Sequence, residues 1–588
     1  MNSVVAVDTE TTGLNPWKGH RIFSVAAAFS SGRILFWRDE FSGLKELMED
    51  ENVEKVFHNA KFDIRMLGFQ GIKVKGKIHD TMTSAHLLNM RQKLSLEELC
   101  AKYLPPHHQK VVGEIDSWFK ANGIIKAEKG THFNILPPEI LKKRNIGDAV
   151  STLLIHQRLY PTVIKDFPFL YQQEMDLMPY ILRMENRGVA VDVEEIQNQK
   201  RFLSGVIEEA EIEYEGILGR EINWRSYDDK IALLDQAGLL PYMGERTKTG
   251  KYRLKAVDLR NIPHPAAQLL LRLSLASKLR DTFLAQLEAN EVDGVVHGGF
   301  NSNGTVSGRF SSSKPNLQNI PREGGQLTTE EEDADLEDIP LAPHIKRCFI
   351  ARPGYRNMHS DKKQIEVRQM IHYSKDITGK EILESGLDPH FMICKKMFGV
   401  EDEKYKQRAK QIVFGWEYGM GLDSMAARLQ ATKAQAKEYY NIFERLFPGA
   451  KRWKQRLYSE VHERGYVQTD HGRRHYLYPG EAYIAVNRMC QGTAADEIKG
   501  NMLMVGRLCE EYPDCNMLLT IHDEVSTEIP DEMFEEIAPK VHDLMCQSRI
   551  EYFTPMPADS KMTEVGGRWA ELKKIKFTEG KLVKEVKK

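Results

Sequence analysis

Apolar and polar positions change period several times along the chain, and each change marks an element. Val4-Val5-Ala6-Val7 is a short apolar run of strand type that passes directly into Asp8-Thr9-Glu10-Thr11-Thr12-Gly13. Successive strand side chains point to opposite faces, so Asp8 and Glu10 share one face. Val56-Phe57-His58 is a second strand-like piece leading to Asn59-Ala60-Lys61-Phe62-Asp63, and Gly147-Asp148-Ala149 lies inside a helical stretch. In residues 174–192, Leu177, Ile181 and Met184 recur at helical spacing and read as core, with a turn at Gly188. Residues 193–291 are long-helix material rich in Leu, Glu and Lys. Residues 403–419, EKYKQRAKQIVFGWEYG, read as one helix with Asp402 as N-cap and Gly419 and Gly421 past its end. Further on, MLLTI and VSTEI are two β-like runs joined through His522-Asp523-Glu524.

These periods place candidate chemistry. Lys406, Lys410, Phe414 and Tyr418 are each four residues apart. Four helical steps advance about 400°, so the series drifts by only ~40° per member and forms a stripe. Two ammonium groups neutralise phosphate and a ring stacks on a sugar or base, so the stripe suits a nucleoside triphosphate held lengthwise. The same spacing also suits a solvated basic edge that runs into a core edge. Asp361 ends one strand-like run, and a hairpin at residues 522–524 would bring Asp523 beside it across 162 positions. Two carboxylates sharing two Mg²⁺ ions would activate a primer 3′-hydroxyl and neutralise a pyrophosphate leaving group. Taken alone, His-Asp-Glu is a common tripeptide. Asp8, Glu10, Asp63 and Asp148, if they converge, would bind two divalent cations that activate water against a phosphodiester. Any one of them alone could be a surface carboxylate or a cap. Residues 305–321 crowd hydroxyls, amides and Arg309 together with turn formers, a donor set for phosphates and minor-groove acceptors.

Composition narrows the class. The chain has 588 residues, 41% hydrophobic and 28% charged, enough for three or four domain-sized units of an ordinary globular protein. Its net charge of -2 means that any nucleic-acid surface must concentrate positive charge locally. Seven cysteines without a CxxC pair argue against a zinc ribbon or a disulfide framework and fit a reducing cytoplasm. No apolar run reaches the roughly 18 residues of a membrane span. The N-terminus lacks a basic n-region, so no signal peptide and no membrane partner are expected. Residues 323–338 carry eight acidic side chains and no basic one, and read as an exposed loop repelled by DNA.

DTETTGL, HNAKFD and the later GDA together resemble the DEDD superfamily of 3′–5′ exonucleases on an RNase H-like fold. The resemblance implies Asp8, Glu10, Asp63 and Asp148 as metal ligands. Members carry Tyr four residues, or His five residues, before the last Asp, to orient or activate the attacking water; here Arg144 and Lys143 stand there. Neither cation is a good base near neutral pH. Proofreading is therefore expected to be weakened, or to use another water-positioning group.

SGRFSSSKPNLQNIP, SDKKQIEVR, KQRAKQIVFGWEYG, NRMCQGTAAD and IHDEV follow in the order of the motifs of family A DNA polymerases, which the chain resembles over nearly its whole length. The resemblance implies an α/β multidomain protein, an RNase H-like exonuclease domain plus a right-hand polymerase with an antiparallel palm sheet and helical fingers and thumb. The expected divisions are 1–165 exonuclease-like, 166–294 start of the polymerase unit and thumb, 295–375 palm, 376–485 fingers and 486–588 the second part of the palm. It further implies that Asp361 and Asp523 hold two catalytic Mg²⁺ ions, with Mn²⁺ as an alternative, and that Glu524 lies beside them. Lys406, Lys410 and His390 would contact the incoming dNTP, Phe414 would pack on its sugar, and Tyr418 would sit at the templating position. Glu366 would clash with a ribose 2′-hydroxyl. Arg309, Asn316, Gln318, Asn487, Gln491 and His522 would touch primer-template DNA. Two departures stand out. Lys406 replaces the family's Arg and loses its bidentate fork, and Lys362-Lys363 replace Tyr-Ser, with Lys362 expected to face solvent. The chain starts at the exonuclease strand, so the 5′-end-removing unit of bacterial members is expected to be absent. A viral (phage) replicase is therefore expected over a bacterial repair enzyme, monomeric, in the host cytoplasm, with a processivity factor or helicase as a candidate partner.

Overall fold

The computed structural model describes residues 3–106, 111–123, 133–242, 262–321, 345–578 and 580–583, together with 246, 249–252, 254 and 259. The acidic stretch 323–338 lies outside the described residues.

The apolar run at the N-terminus becomes β1 (Ser3–Thr11), the centre of a five-stranded sheet with β2 (Ile22–Phe29), β3 (Ile34–Arg38), β4 (Val53–Phe57) and β5 (Ile78–Asp80). The order is β3-β2-β1-β4-β5; the first three strands are antiparallel and β4 and β5 run parallel to β1. Strand alternation splits the core between two faces. Val5 and Val7 pack on one side with Met178 and Leu182; Ala6, Ala28 and Val56 pack on the other with Ala149 and Leu153. Alanines on that second face let a long helix lie close against β1. Helix α1 (Ala60–Phe69) follows β4, and α2 (Pro138–Asp166) is the helix that crosses the sheet and carries Asp148.

Helix α3 (Pro168–Arg187) serves two cores at once. Met178 and Leu182 face the exonuclease-like sheet, whereas Leu177, Ile181 and Met184 are buried in the core under the palm, as their spacing predicted. Full burial of such a side chain stabilises by roughly 1.5–3 kcal/mol, so this helix fastens the two units together. Charge adds to the join: buried Arg473 contacts Asp496 at 2.6 Å and Glu174 of α3 at 3.4 Å, and Lys499 contacts Glu174 at 2.6 Å. The Leu-, Glu- and Lys-rich region forms α4 (Val193–Leu218) and α5 (Pro265–Lys278), which pack on one another.

The palm is a six-stranded antiparallel sheet of β6 (Tyr355–Lys362), β7 (Asn516–Ile521), β8 (Glu524–Pro530), β9 (Ala558–Met562), β10 (Lys573–Thr578) and β11 (Lys581–Val583), in the order β7-β8-β6-β9-β10-β11. Helix α9 (Ala485–Glu511) packs on this sheet and α6 (Ile365–Ser374) packs on α9, whereas α7 (Pro389–Phe398) and α8 (Glu403–Glu417) pack on each other in a separate core. Lys362 does not face solvent. It is buried, with its ammonium 3.0 Å from Glu497 of α9 and donating to the Gln547 carbonyl at 2.9 Å. Strand alternation turns it away from Asp361, into the layer beneath the sheet, where a carboxylate compensates its burial. Among the described residues no helix is long and apolar enough to cross a membrane.

Candidate active site

Asp361 stands in β6, a strand paired on both sides: Glu524 of β8 is its register partner on one flank and Asp559 of β9 on the other. Ile521 pairs with Glu524, which leaves His522 and Asp523 as a two-residue hairpin loop. The Lys362 N–H donates to the Asp523 carbonyl at 3.2 Å, so the loop is tied to the strand that carries Asp361. His522 has φ 54, a region that favours glycine, and strain of that kind collects at functional sites. The Asp361 and Asp523 carboxyls come within hydrogen-bonding reach of each other. Both are pushed above the usual carboxylate range. Enclosure by protein comes first for each; for Asp361 the charges of Asp523 and Glu524 follow, whereas for Asp523 Arg309 partly opposes the rise. Two crowded acids of this kind are what a shared divalent cation would relieve, so the donor set fits the metal site the family implies. Glu524 is different: burial would raise its pKa, but the His359 ring at 2.7 Å outweighs that and holds it low.

Glu403–Glu417 is helical as predicted, and the Asp402 side chain caps it by accepting from the Lys404 and Tyr405 N–H groups. The stripe holds together. The Lys410 ammonium lies 5.8 Å from the Phe414 ring centre, Phe414 lies 6.3 Å from Tyr418, and the buried His390 ring lies 6.0 Å from Phe414. Burial, then the Lys410 charge, lowers the His390 pKa to about 4, so its imidazole is neutral. At its far end the stripe meets the palm. Tyr418 donates to Glu366 at 3.2 Å, Arg309 pairs with Glu366 at 2.7 Å, and Gln491 donates to the Tyr418 oxygen at 3.2 Å. Gly419 has φ 69, and a Cβ there would come 2.2 Å from the Tyr483 carbonyl oxygen, so glycine is required for the chain leaving α8 to pass the turn that precedes α9.

Other predicted residues fall into distinct settings. Lys406 pairs with Asp388 at 3.1 Å and lies over the Phe391 ring. Asn487 and Gln491 share a face of α9, both buried. Asn316 accepts from the Gln318 N–H, and Gln318 donates to the Thr520 carbonyl of β7, bracing the loop against the hairpin strand. Glu417 was not anticipated. It is fully buried, neither oxygen meets an N–H or O–H donor among the described residues, and the Cys490 thiol is its polar neighbour.

In the N-terminal unit Asp8, Glu10 and Asp148 gather, with one ligand atom from each within 4.8 Å of the others. Asp63 stands apart from that group. Thr9 holds it, with the hydroxyl at 2.6 Å and the N–H at 3.2 Å, and burial pushes its pKa up to about 7 despite those bonds. Arg144 reaches into the cluster, its Nε 2.6 Å from Glu10 and its Nη2 3.3 Å from Asp148. Asn145, unmarked by the sequence reading, donates to the Asp8 carboxylate at 2.6 Å and is held by Ser24.

An antiparallel sheet carrying two facing aspartates beside a helix with a Lys/Phe/Tyr stripe, joined to a second sheet with its own acids, is the layout of a polymerase fold with an exonuclease unit. Comparison with known proteins agrees. Residues 193–571 match DNA polymerase family A and residues 1–121 match the 3′–5′ exonuclease family, and the chain belongs to family A. It is 30% identical to DNA polymerase I of Chloroflexus aurantiacus over 88% of this chain and 55% of that one, and 28% identical to DNA polymerase I of Pseudomonas aeruginosa over 92% and 61%. The chain thus spans little more than half the length of these relatives. The fold is similar to the solved POL domain of Pol1 from M. smegmatis in complex with DNA primer-template and dNTP, with TM-score 0.80 at 24% identity, covering 97% of this chain and 96% of that one. These relatives are bacterial, and the viral type expected of the sequence gains no support from them.

Proposed function

We propose that the chain is a template-directed DNA polymerase that adds dNTPs to a primer 3′-hydroxyl, with an attached 3′–5′ exonuclease unit. The observation that carries this reading is the meeting of three elements far apart in sequence: Asp361, the Asp523 hairpin, and the α8 stripe anchored on Glu366 by Tyr418. Asp361 and Asp523 would hold the divalent cations, Mg²⁺ by preference, which when bound lower the pKa of the primer hydroxyl and neutralise charge on the leaving pyrophosphate. Lys410 and neutral His390 offer the triphosphate a cation and a ring donor. Phe414 offers the sugar a flat face, and Glu366 fills the space a 2′-hydroxyl would need, which selects dNTPs. Arg309, Asn487, Gln491 and His522 would touch the primer-template minor groove. The proposed divisions at 165, 294, 375 and 485 follow from this reading, with a processivity factor or helicase as a candidate partner.

A labelled primer on a longer template, incubated with each dNTP singly and together, tests this. Extension by only the base the template specifies is expected. Shortening alone under every nucleotide condition would leave a nuclease whose large C-terminal region merely binds DNA.

A further inference from the structure

We propose that Arg144 and Asn145 act as a built-in stand-in for the divalent cations of the N-terminal carboxylate cluster, so that the wild-type site excludes metal and shortens DNA slowly. This rests on reading the unit as a 3′–5′ exonuclease.

Each of the four acids that would ligate metal already has a protein donor. Arg144 takes Glu10 and Asp148, Asn145 takes Asp8, and Thr9 takes Asp63. Calcium- or magnesium-type cations bind through carboxylate oxygens, and charge-assisted N–H donors at 2.6 Å compete for one oxygen each of Glu10 and Asp8. The guanidinium also supplies positive charge where three carboxylates crowd, and it cannot withdraw by losing its proton. Both donors are pinned. Arg144 projects from α2, four residues before Asp148, and lies 4.3 Å from the Phe133 ring centre. Asn145 is fully buried, donates a second time to the Asp8 carbonyl at 3.0 Å, and accepts from Ser24 at 3.0 Å. A cation entering the cluster must break the Arg144 bridge and then sit beside an unneutralised guanidinium. In the palm the Arg309 guanidinium pairs with Glu366 at 2.7 Å, whereas in the N-terminal cluster the guanidinium bridges two of the acids themselves.

The test counts bound Mn²⁺ on the full chain by paramagnetic resonance of the free ion, alongside 3′ shortening of a mismatched primer. Wild type should bind Mn²⁺ only at sites that Asp361→Asn removes. Arg144→Ala should add sites bound about 10–100-fold more tightly than the N-terminal cluster binds in wild type, the scale on which partners of metal ligands act, and should shorten DNA faster with extension unchanged. Asp8→Asn in that background should abolish both gains. Arg144→Gln, which keeps a donor but drops the charge, replaces the alanine variant if that does not fold. If wild type already binds Mn²⁺ at sites removed by Asp8→Asn, and Arg144→Ala neither tightens them nor speeds shortening, the proposal falls and the exonuclease reading stands. If no variant gains metal or shortening and Asp8→Asn changes nothing, both fall.

Discussion

The chain carries two acid clusters of like chemistry that differ in where the neighbouring guanidinium points. In the palm, Asp361 and Asp523 are forced together by a strand and a hairpin, and the nearby guanidinium of Arg309 is turned to Glu366. Their repulsion is left standing, which is the state a divalent cation relieves. In the N-terminal unit Asp8, Glu10 and Asp148 also gather and are also pushed above the usual carboxylate range by burial, but Arg144 bridges Glu10 and Asp148 and Asn145 donates to Asp8. Gathering carboxylates is therefore not the whole of a metal site; a fixed guanidinium among them competes with a metal ion for their oxygens.

The comparison can be broken most sharply in the palm. Asp523→Asn should reduce nucleotide incorporation at least about a thousandfold, the scale on which a group that stabilises developing charge contributes. Asp8→Asn should leave incorporation unchanged, and equal losses from the two would erase the distinction. Next in size is the stripe. Lys410→Ala should raise the KM for dNTP about 10–100-fold, as expected for a charged hydrogen bond worth ~1.5–3 kcal/mol, and Lys406→Ala by less, because Lys406 is engaged by Asp388. Steady-state kinetics separates them. A third effect concerns pH. Burial, then the charge of Glu366, pushes the Glu417 pKa from 4.5 up to about 8. The folded chain then keeps a proton that the unfolded chain has released, so stability falls as pH rises between those values. Melting temperatures at pH 6 and pH 9 should drop more for wild type than for Glu417→Gln, and parallel drops would contradict this. The smallest effect is at the helix cap: Asp402→Ala should cost about 1 kcal/mol in denaturant unfolding while leaving the stripe's contacts in place.

Local pattern made the helix at residues 403–417, its Asp402 cap and its four-residue stripe readable, because capping and helical period act within a few residues. The Asp361 and Asp523 meeting was legible for a related reason: a two-residue hairpin between apolar runs leaves little freedom in what it presents. The core role of Leu177, Ile181 and Met184 followed from spacing alone. What escaped depends on partners distant in sequence. Lys362 reads as a solvent lysine until Glu497, 135 positions later, is found beneath it. Asn145 has no period to mark it, and its bond to Asp8 spans 137 positions. Asp63 falls outside the group of Asp8, Glu10 and Asp148, and the two Thr9 donors that hold it are 54 positions away in the chain. Glu417 reads as one more polar helix residue, and only the packing of α8 on α9 shows that it is enclosed.

If the palm acids form one metal-held centre fed by α8, synthesis must depend on both acids and on Mg²⁺ together. Single-turnover incorporation of one matched dNTP, measured across a Mg²⁺ titration for wild type, Asp361→Asn and Asp523→Asn with dNTP binding followed in parallel, tests it directly. Incorporation should rise with Mg²⁺ in wild type and vanish in both variants, while Lys410-dependent dNTP binding persists. Incorporation by either variant at the wild-type rate and Mg²⁺ dependence would contradict it.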